Sequence, residues 1–244
     1  IAGLRANVKA DKLYAHLFPN ENGEQYIMFP EFSLSEKYQK TYPGVGFGLA
    51  LISGCHEAAN PDGFSPYRKK RLRKMRKRET LAQITQRIET YAAFFESFGY
   101  PCPLTRHLKR TVNSGFPIYS LFVDAHFMAE MCAGILVAVT DADTFDGALT
   151  LDVAQGGETC NGMGDRLFTM QPNEIVLRDE KDIVCVLCQG ADEKTRVEEK
   201  STNILFYAYA VPGIEREHLE HGLTVAAETL VEFGGGKLEG IKIY

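Results

Sequence analysis

The spacing of apolar residues changes partway along this chain, and that change limits the folds open to it. Leu81, Ile84, Ile88, Tyr91 and Phe95 recur every three or four positions, the apolar stripe of an amphipathic helix. From residue 149 the period is two: Leu149, Leu151 and Val153 alternate with Thr150 and Asp152, as in a half-buried strand. One period suits a helix and the other a pleated strand, so helices and strands must be segregated along the chain. The spacing predicts a short helix over 34–40, started by Ser33 and Glu36 at capping-box separation. It also predicts a strand within 41–54, a helix from 81 stopped at Gly99 and Pro101, and helices over 104–113 and 118–132. Strands over 149–153, 174–179, 182–188 and 203–211 follow, and then a closing helix carrying Leu219, Leu223, Ala226 and Leu230 to Gly234. Mid-chain helices, later strands and a final helix define an α+β chain rather than a repeating βαβ one.

The 244 residues are 45% hydrophobic, enough for an ordinary core. No apolar run reaches eighteen residues, so no transmembrane helix and no membrane partner are expected. No leader pattern opens the chain. The six cysteines are too dispersed for a disulfide framework, and a cytoplasmic location follows as an expectation. Cys185 and Cys188 have CxxC spacing, but they fall on a predicted strand and lack a second pair.

Charge is unevenly placed. Nine of the eleven positions from Arg68 to Arg78 are Lys or Arg: Arg68, Lys69, Lys70, Arg71, Arg73, Lys74, Arg76, Lys77 and Arg78. The chain as a whole carries −5; without this block, 18 Lys and Arg face 32 Asp and Glu, a net of −14. Only Leu72 and Met75 interrupt the block, and like charges four apart repel on a helix. The segment is therefore expected to order only partly without a polyanion. A dense basic block in an acidic chain is read either as a solvated helix face or loop or as a phosphate-binding patch.

Several motifs fail on chemistry. "GVGFG" (44–48) lacks the third glycine of a dinucleotide fingerprint, and "GGGKL" (234–238) lacks the hydroxyl residue of a P-loop. "DADTFDG" (141–147) departs from a calcium loop at Phe145 and Asp146. His218 and His221 lack a third ligand nearby in sequence. Neither a metal nor a cofactor is expected. Two polar clusters persist. Asp124 and His126 sit inside the apolar helix 118–132, where a buried carboxylate needs a partner. Gly157 and Glu158, with Thr195, Arg196 and Asn203, form the second; each is read either as a pocket wall or as part of a charged hairpin.

The order of the segments "YPGVGFGLAL", "FFESFGYPCP", "VDAHFMAEMCAGI", "FDGALTLDVAQGGE", "NEIVLRDEKDIVC" and "DEKTRVEEKSTNILFYAYAVPG" resembles the B3/B4 domain of phenylalanyl-tRNA synthetase β-subunits. It is closer still to free-standing bacterial proteins made of that domain alone. The resemblance spans roughly 30–233 and implies an α+β, layered β-sandwich flanked by helices. Residues 1–29 would then be an extension packing on or near a single domain, 30–244. In the synthetase this domain hydrolyses tyrosine misattached to tRNA. Its editing-site asparagine falls on Phe127, beside His126; the "PLHAFD" histidine falls on Ala138; the glutamate that senses the phenol falls near Tyr207. All three are replaced, so tyrosyl-tRNA is not the expected substrate.

The resemblance implies a protein that binds tRNA or another RNA through residues 68–78, without DNA specificity. It further implies hydrolysis of a misacylated aminoacyl ester in trans. His126 and Glu158 would be the catalytic groups. Asp124, Phe127, Gly157, Thr195, Arg196, Asn203 and Tyr207 would line the pocket. The alternative is a non-catalytic module that binds an amino-acid-like ligand and no RNA.

Overall fold

The computed structural model describes residues 29–244; the expected N-terminal extension and the turn expected at 18–24 lie outside them. In chain order the elements are β1 (Phe32–Leu34), α1 (Glu36–Thr41), β2 (Phe47–Ser53), α2 (Phe64–Met75), α3 (Arg78–Ser97), α4 (Pro103–Ser114), α5 (Leu121–Ala133) and β3 (Leu136–Asp141). A short 3-10 turn (Ala142–Thr144) precedes β4 (Leu149–Val153), β5 (Thr159–Gly162), β6 (Arg166–Thr169), β7 (Ile175–Arg178), β8 (Ile183–Val186), β9 (Gly190–Ala191), β10 (Ile204–Tyr209), α6 (Arg216–Phe233) and β11 (Lys237–Ile243). The α+β order read from the sequence is the order found.

Two sheets carry the core. One runs β11-β2-β10-β3 and the other β1-β4-β7-β8-β9, while β5 and β6 form a separate ribbon. Strand β10 is antiparallel to both neighbours, with Tyr207 opposite Leu49 on β2 and Ala138 on β3. Strands β2 and β10 are buried along their whole length, which is why both read as unbroken apolar runs rather than alternating ones. One face of β2 lies under α6: a methyl added at Gly48 would stand 2.7 Å from Leu223 Cδ1. The other face meets the second sheet. There Phe47 stacks on Phe32 of β1 at 5.0 Å and meets Tyr209 edge-on at 5.0 Å. The layers are therefore helix, sheet, sheet, held by apolar and aromatic burial.

Local signals explain most boundaries. Ser35, not Ser33, caps α1: its hydroxyl accepts from Tyr38 N–H at 2.9 Å and donates to Asp152 Oδ1 at 2.5 Å. Ser33 lies in β1, its hydroxyl 3.2 Å from that of Thr150. Ser120 caps α5 at the other end of the chain's most apolar helix. Gly134 closes α5 with φ +67°, and its N–H bonds Glu130 O at 2.7 Å. The "GGGKL" segment opens β11, an edge strand rich in Lys, Glu and Gly whose composition hides it.

The Gly134 turn also touches α3. A Cβ there would lie 3.0 Å from Ile84 O and 3.1 Å from Ile84 Cα, both backbone atoms. Gly134→Ala adds left-handed strain to that clash and should lower unfolding free energy by about 1–3 kcal/mol, read from the urea midpoint.

Candidate functional site

The basic block is not a partly ordered loop. It is the helix α2 together with the turn into α3. Three of its arginines explain the order. Arg68 is 7% exposed and donates through Nη2 to Phe116 O at 2.7 Å and to Pro117 O, with Asp124 Oδ2 3.9 Å from Nη1. Arg71 reaches Glu228 of α6 and the Tyr67 hydroxyl, each at 2.5 Å. Arg76 donates to Val112 O at 2.5 Å and Thr111 O at 3.3 Å. Phe64 and Met75 are buried, and Phe64 packs on Phe233 at 5.0 Å. Arg68 is thus withdrawn from any RNA-facing surface, and Arg71 and Arg76 serve the fold first. Lys69, Lys70, Arg73, Lys74, Lys77 and Arg78 are exposed, and among the described residues no hydrogen bond or ion pair holds their side chains.

His126 belongs to a second arrangement centred on a residue that sequence reasoning missed. Glu130, 1% exposed, sits one turn beyond His126 on α5 and takes His126 Nε2 at 3.3 Å. From α4, His107 Nδ1 meets its other oxygen at 3.0 Å. The spacing of four on a helix was the available signal. Burial works against charge here, but Glu130 more than offsets it and holds His126 above its ordinary value; a hydrogen bond to Val137 backbone adds to this. Burial likewise opposes ionisation of Glu130, and the two histidines outweigh it, leaving its carboxyl below the ordinary value. Phe127 stands among the rings of His107, His126 and Tyr119, at 4.6, 5.1 and 5.7 Å. Asp124 accepts from Tyr119 N–H at 2.9 Å, its carboxyl raised by burial against that bond and Arg68.

The other expected pocket residues lie in separate hydrogen-bonded clusters rather than around one cavity. Glu158 closes its own turn, accepting from Gln155 N–H at 2.9 Å, Gly156 N–H at 2.8 Å and Arg178 Nη2 at 2.8 Å. Gly157 has φ +86° and donates to Met170 O. Thr195 is fully buried and donates to Asp192 Oδ1 at 2.5 Å. Arg196 is exposed, bridging Glu193 at 2.5 Å and Glu198 at 3.1 Å. Asn203 donates to Asp143 Oδ2 at 2.8 Å and accepts from Gly54 N–H at 3.4 Å. Tyr207 lies between the two sheets, where its hydroxyl and that of Tyr209 meet the buried Cys185 thiol. Burial pushes the neighbouring Cys185 thiol up to about 12, which is the behaviour of a core residue rather than a reactive one. Asp146 meets Asp179 and Asp182, but Lys194 Nζ occupies their centre at 2.6, 2.9 and 3.4 Å.

Residues 101–235 match the family model of the B3/4 domain. That is more than half of the chain, and the chain belongs to the B3/4 domain family. Its relatives include the phenylalanine–tRNA ligase beta subunit of Mycoplasma genitalium, 35% identical over 95 residues, which are 39% of this chain and 12% of that protein. The corresponding subunit of Nitrobacter winogradskyi is 33% identical over 98 residues, 40% of this chain and 12% of the relative. The chain thus spans about one-eighth of the length of these relatives. An N-terminal fragment of the phenylalanyl-tRNA synthetase β-subunit from Pyrococcus horikoshii aligns over 85% of this chain and 50% of its own, with a TM-score of 0.46 and 13% identity.

Two outcomes test this geometry. Arg68→Gln removes the donors of two buried carbonyls and should cost about 2 kcal/mol or more in urea unfolding, while Lys69→Gln should stay within about 0.5 kcal/mol. For the Glu130 cluster the signs are opposite. His126, raised in the fold, stabilises fully below pH 6.5, and its contribution is lost as pH rises through its native value. Glu130, depressed, stabilises above pH 4.5 and its contribution is lost as pH falls through its native value. The stability difference between the native chain and Glu130→Gln should therefore peak between pH 4.5 and 6.5; a pH-independent difference in chemical denaturation would contradict it.

Proposed function

We propose that this B3/4-domain chain binds RNA through the solvent face of α2 and the turn after it, with tRNA the first partner to test. One observation carries the reading: six cations of a single short segment stand exposed, their side chains without partners among the described residues, on a chain of net charge −5. A helix with such repulsion is retained at some cost in stability, and phosphates supply the missing counter-charge. The phenylalanine–tRNA ligase names of the relatives agree with it.

Aminoacyl-ester hydrolysis is the finer reading that the resemblance implies. His126 has Nε2 on Glu130 at 3.3 Å and a hydrogen bond to Val137 backbone. Glu158 has both carboxylate oxygens engaged. A general base needs a free lone pair within reach of the proton it takes, so binding, not catalysis, is the function proposed.

The test is affinity for bulk deacylated tRNA across a salt series. If all six cations engage phosphates, log K should fall against log salt with a slope of about −4 to −5. Changing Lys69, Lys70, Arg73, Lys74, Lys77 and Arg78 together to Gln should abolish binding while leaving the fold intact. Absence of binding by the native chain at low salt would refute the reading. Thermal stabilisation by a free amino acid, with no RNA effect, would favour the small-ligand alternative.

A further inference from the structure

Four of the free cations do not simply face water. They form one wall of a cleft of about 680 Å³ between α2 and α6. Lys70, Arg73 and Lys74 line it from α2, Lys77 from the turn into α3, and His221, Thr224, Val225 and Glu228 from α6. The α6 positions are three, four and seven residues from His221, so they make a single stripe. The cleft's one carboxylate, Glu228, is tied to Arg71 at 2.5 Å. Thr224 has its hydroxyl donated to Glu220 O at 2.8 Å. What stays available is four cations on one side and one exposed imidazole on the other.

We propose that this cleft seats consecutive phosphates of a single RNA strand, with Lys70, Arg73, Lys74 and Lys77 as its charged wall and His221 as the hydrogen-bond donor opposite. The inference rests on the RNA-binding reading above and deepens it. Lys70 and Lys74 are spaced by about 6 Å along the axis of α2, and Lys77 continues the row from the turn into α3, a close set of point charges suited to a phosphodiester chain. The space is far too small for a duplex. No base is read: the Tyr67 ring at the cleft is covered by Arg71 at 4.8 Å and Phe233 at 5.0 Å. Contacts of this kind position a strand without specifying its sequence.

His221 gives the site a proton-linked signature. Lys74 and Arg71 face it from α2, Arg87 from α3, and His218 from its own helix; the carboxylates nearest in position are Glu228, which lines the same cleft and is tied to Arg71, and Glu217, one turn before it on α6. Partial burial and then those cations hold its imidazole below the ordinary value in the free protein. A phosphate in the cleft would reverse that balance, since an anion favours the charged imidazolium. By reciprocity, affinity should rise as pH falls through the His221 titration.

The experiment uses the native chain, Lys70→Gln with Lys74→Gln, Lys69→Gln with Arg78→Gln, and His221→Ala. Each is titrated with a fluorescent oligouridylate, bulk tRNA and poly-glutamate at low salt. The pH is varied from about 5.5 to 8, across the histidine range, and the imidazole of His221 is followed by NMR. The expected result is that the cleft pair loses about tenfold or more in oligouridylate affinity and about 1.4 in salt slope, and the outer pair less. Saturating RNA should raise the His221 pKa by about one unit, equivalent to about tenfold in affinity between the extremes of pH. His221→Ala should flatten that pH dependence. The Gln variants relieve like-charge repulsion, so their Tm should hold or rise, and lost binding is then not lost folding. RNA binding that survives in the cleft pair and fails in the outer pair, or a His221 pKa that RNA leaves unmoved, would overturn the cleft while leaving RNA binding intact. Failure of the native chain to bind either RNA would sink both readings. Poly-glutamate binding as tight as RNA at equal salt would assign the cleft to an acidic protein instead.

Discussion

Strand β10 must be covered on both faces, and much of the molecule follows from that. Its residues from Ile204 to Tyr209 are all buried. One face carries Tyr207 and Tyr209 and needs a second sheet thick with apolar side chains; β1, β4, β7 and β8 supply it. The other face needs a helix, and the lack of side chains at Gly48 and Gly222 lets α6 come close: a methyl at Gly222 would stand 2.5 Å from Ile135 Cδ1. Once α6 is fixed, its outer flank is the ground on which α2 docks, through Arg71 on Glu228 and Phe64 on Phe233. The basic face is thereby positioned by a hydrophobic demand made in the core.

Helix α2 persists against its own charge because the two effects differ in size. Each like-charged neighbour pair costs about 0.2–0.5 kcal/mol at an exposed surface, and salt weakens it further. Burying Phe64 and Met75 returns about 1.5–3 kcal/mol each. Arg68 caps carbonyls that would otherwise be stranded at Phe116 and Pro117, a loss worth about 1–3 kcal/mol each. Packing and satisfied carbonyls outweigh repulsion, so the segment is ordered before any partner arrives. A preordered charged surface also loses less entropy on binding than one that folds around its ligand.

Much of the fold was legible because hydrophobic period is a local property. The stripe on α3, the alternation on β4 and the unbroken apolar runs of β2 and β10 each announce an element without knowledge of the rest. Strand β11 was hidden because an edge strand needs little apolar character, and the β5–β6 ribbon because its exposed pattern offers no period to read. The cap of α1 moved from Ser33 to Ser35 because pairing with β4 claims Ser33 for a strand. The candidate site was less legible for a different reason. Nothing local separates Arg68 from Lys69; carbonyls nearly fifty residues away decide that one is structural and the other free. The same holds for Glu130, whose meaning depends on His107 arriving from α4, and for Tyr207, whose place between two sheets only the sandwich defines.

The distribution of charge also bears on how a polyanion would be met. Beyond the basic segment the chain carries a net −14. At physiological ionic strength the Debye length is about 8 Å, so a strand lying on α2 feels the nearby cations and little of the distant acidic surface. At about 0.01 M salt the screening length grows to about 30 Å and the acidic body repels over most of the molecule. Counter-ion release favours low salt while long-range repulsion opposes it. The attraction is short-ranged and tied to one face, whereas the repulsion is diffuse. On the reading proposed above, such a charge pattern favours the α2–α6 side for a polyanion over the acidic remainder of the chain, and it orients a contact without base readout.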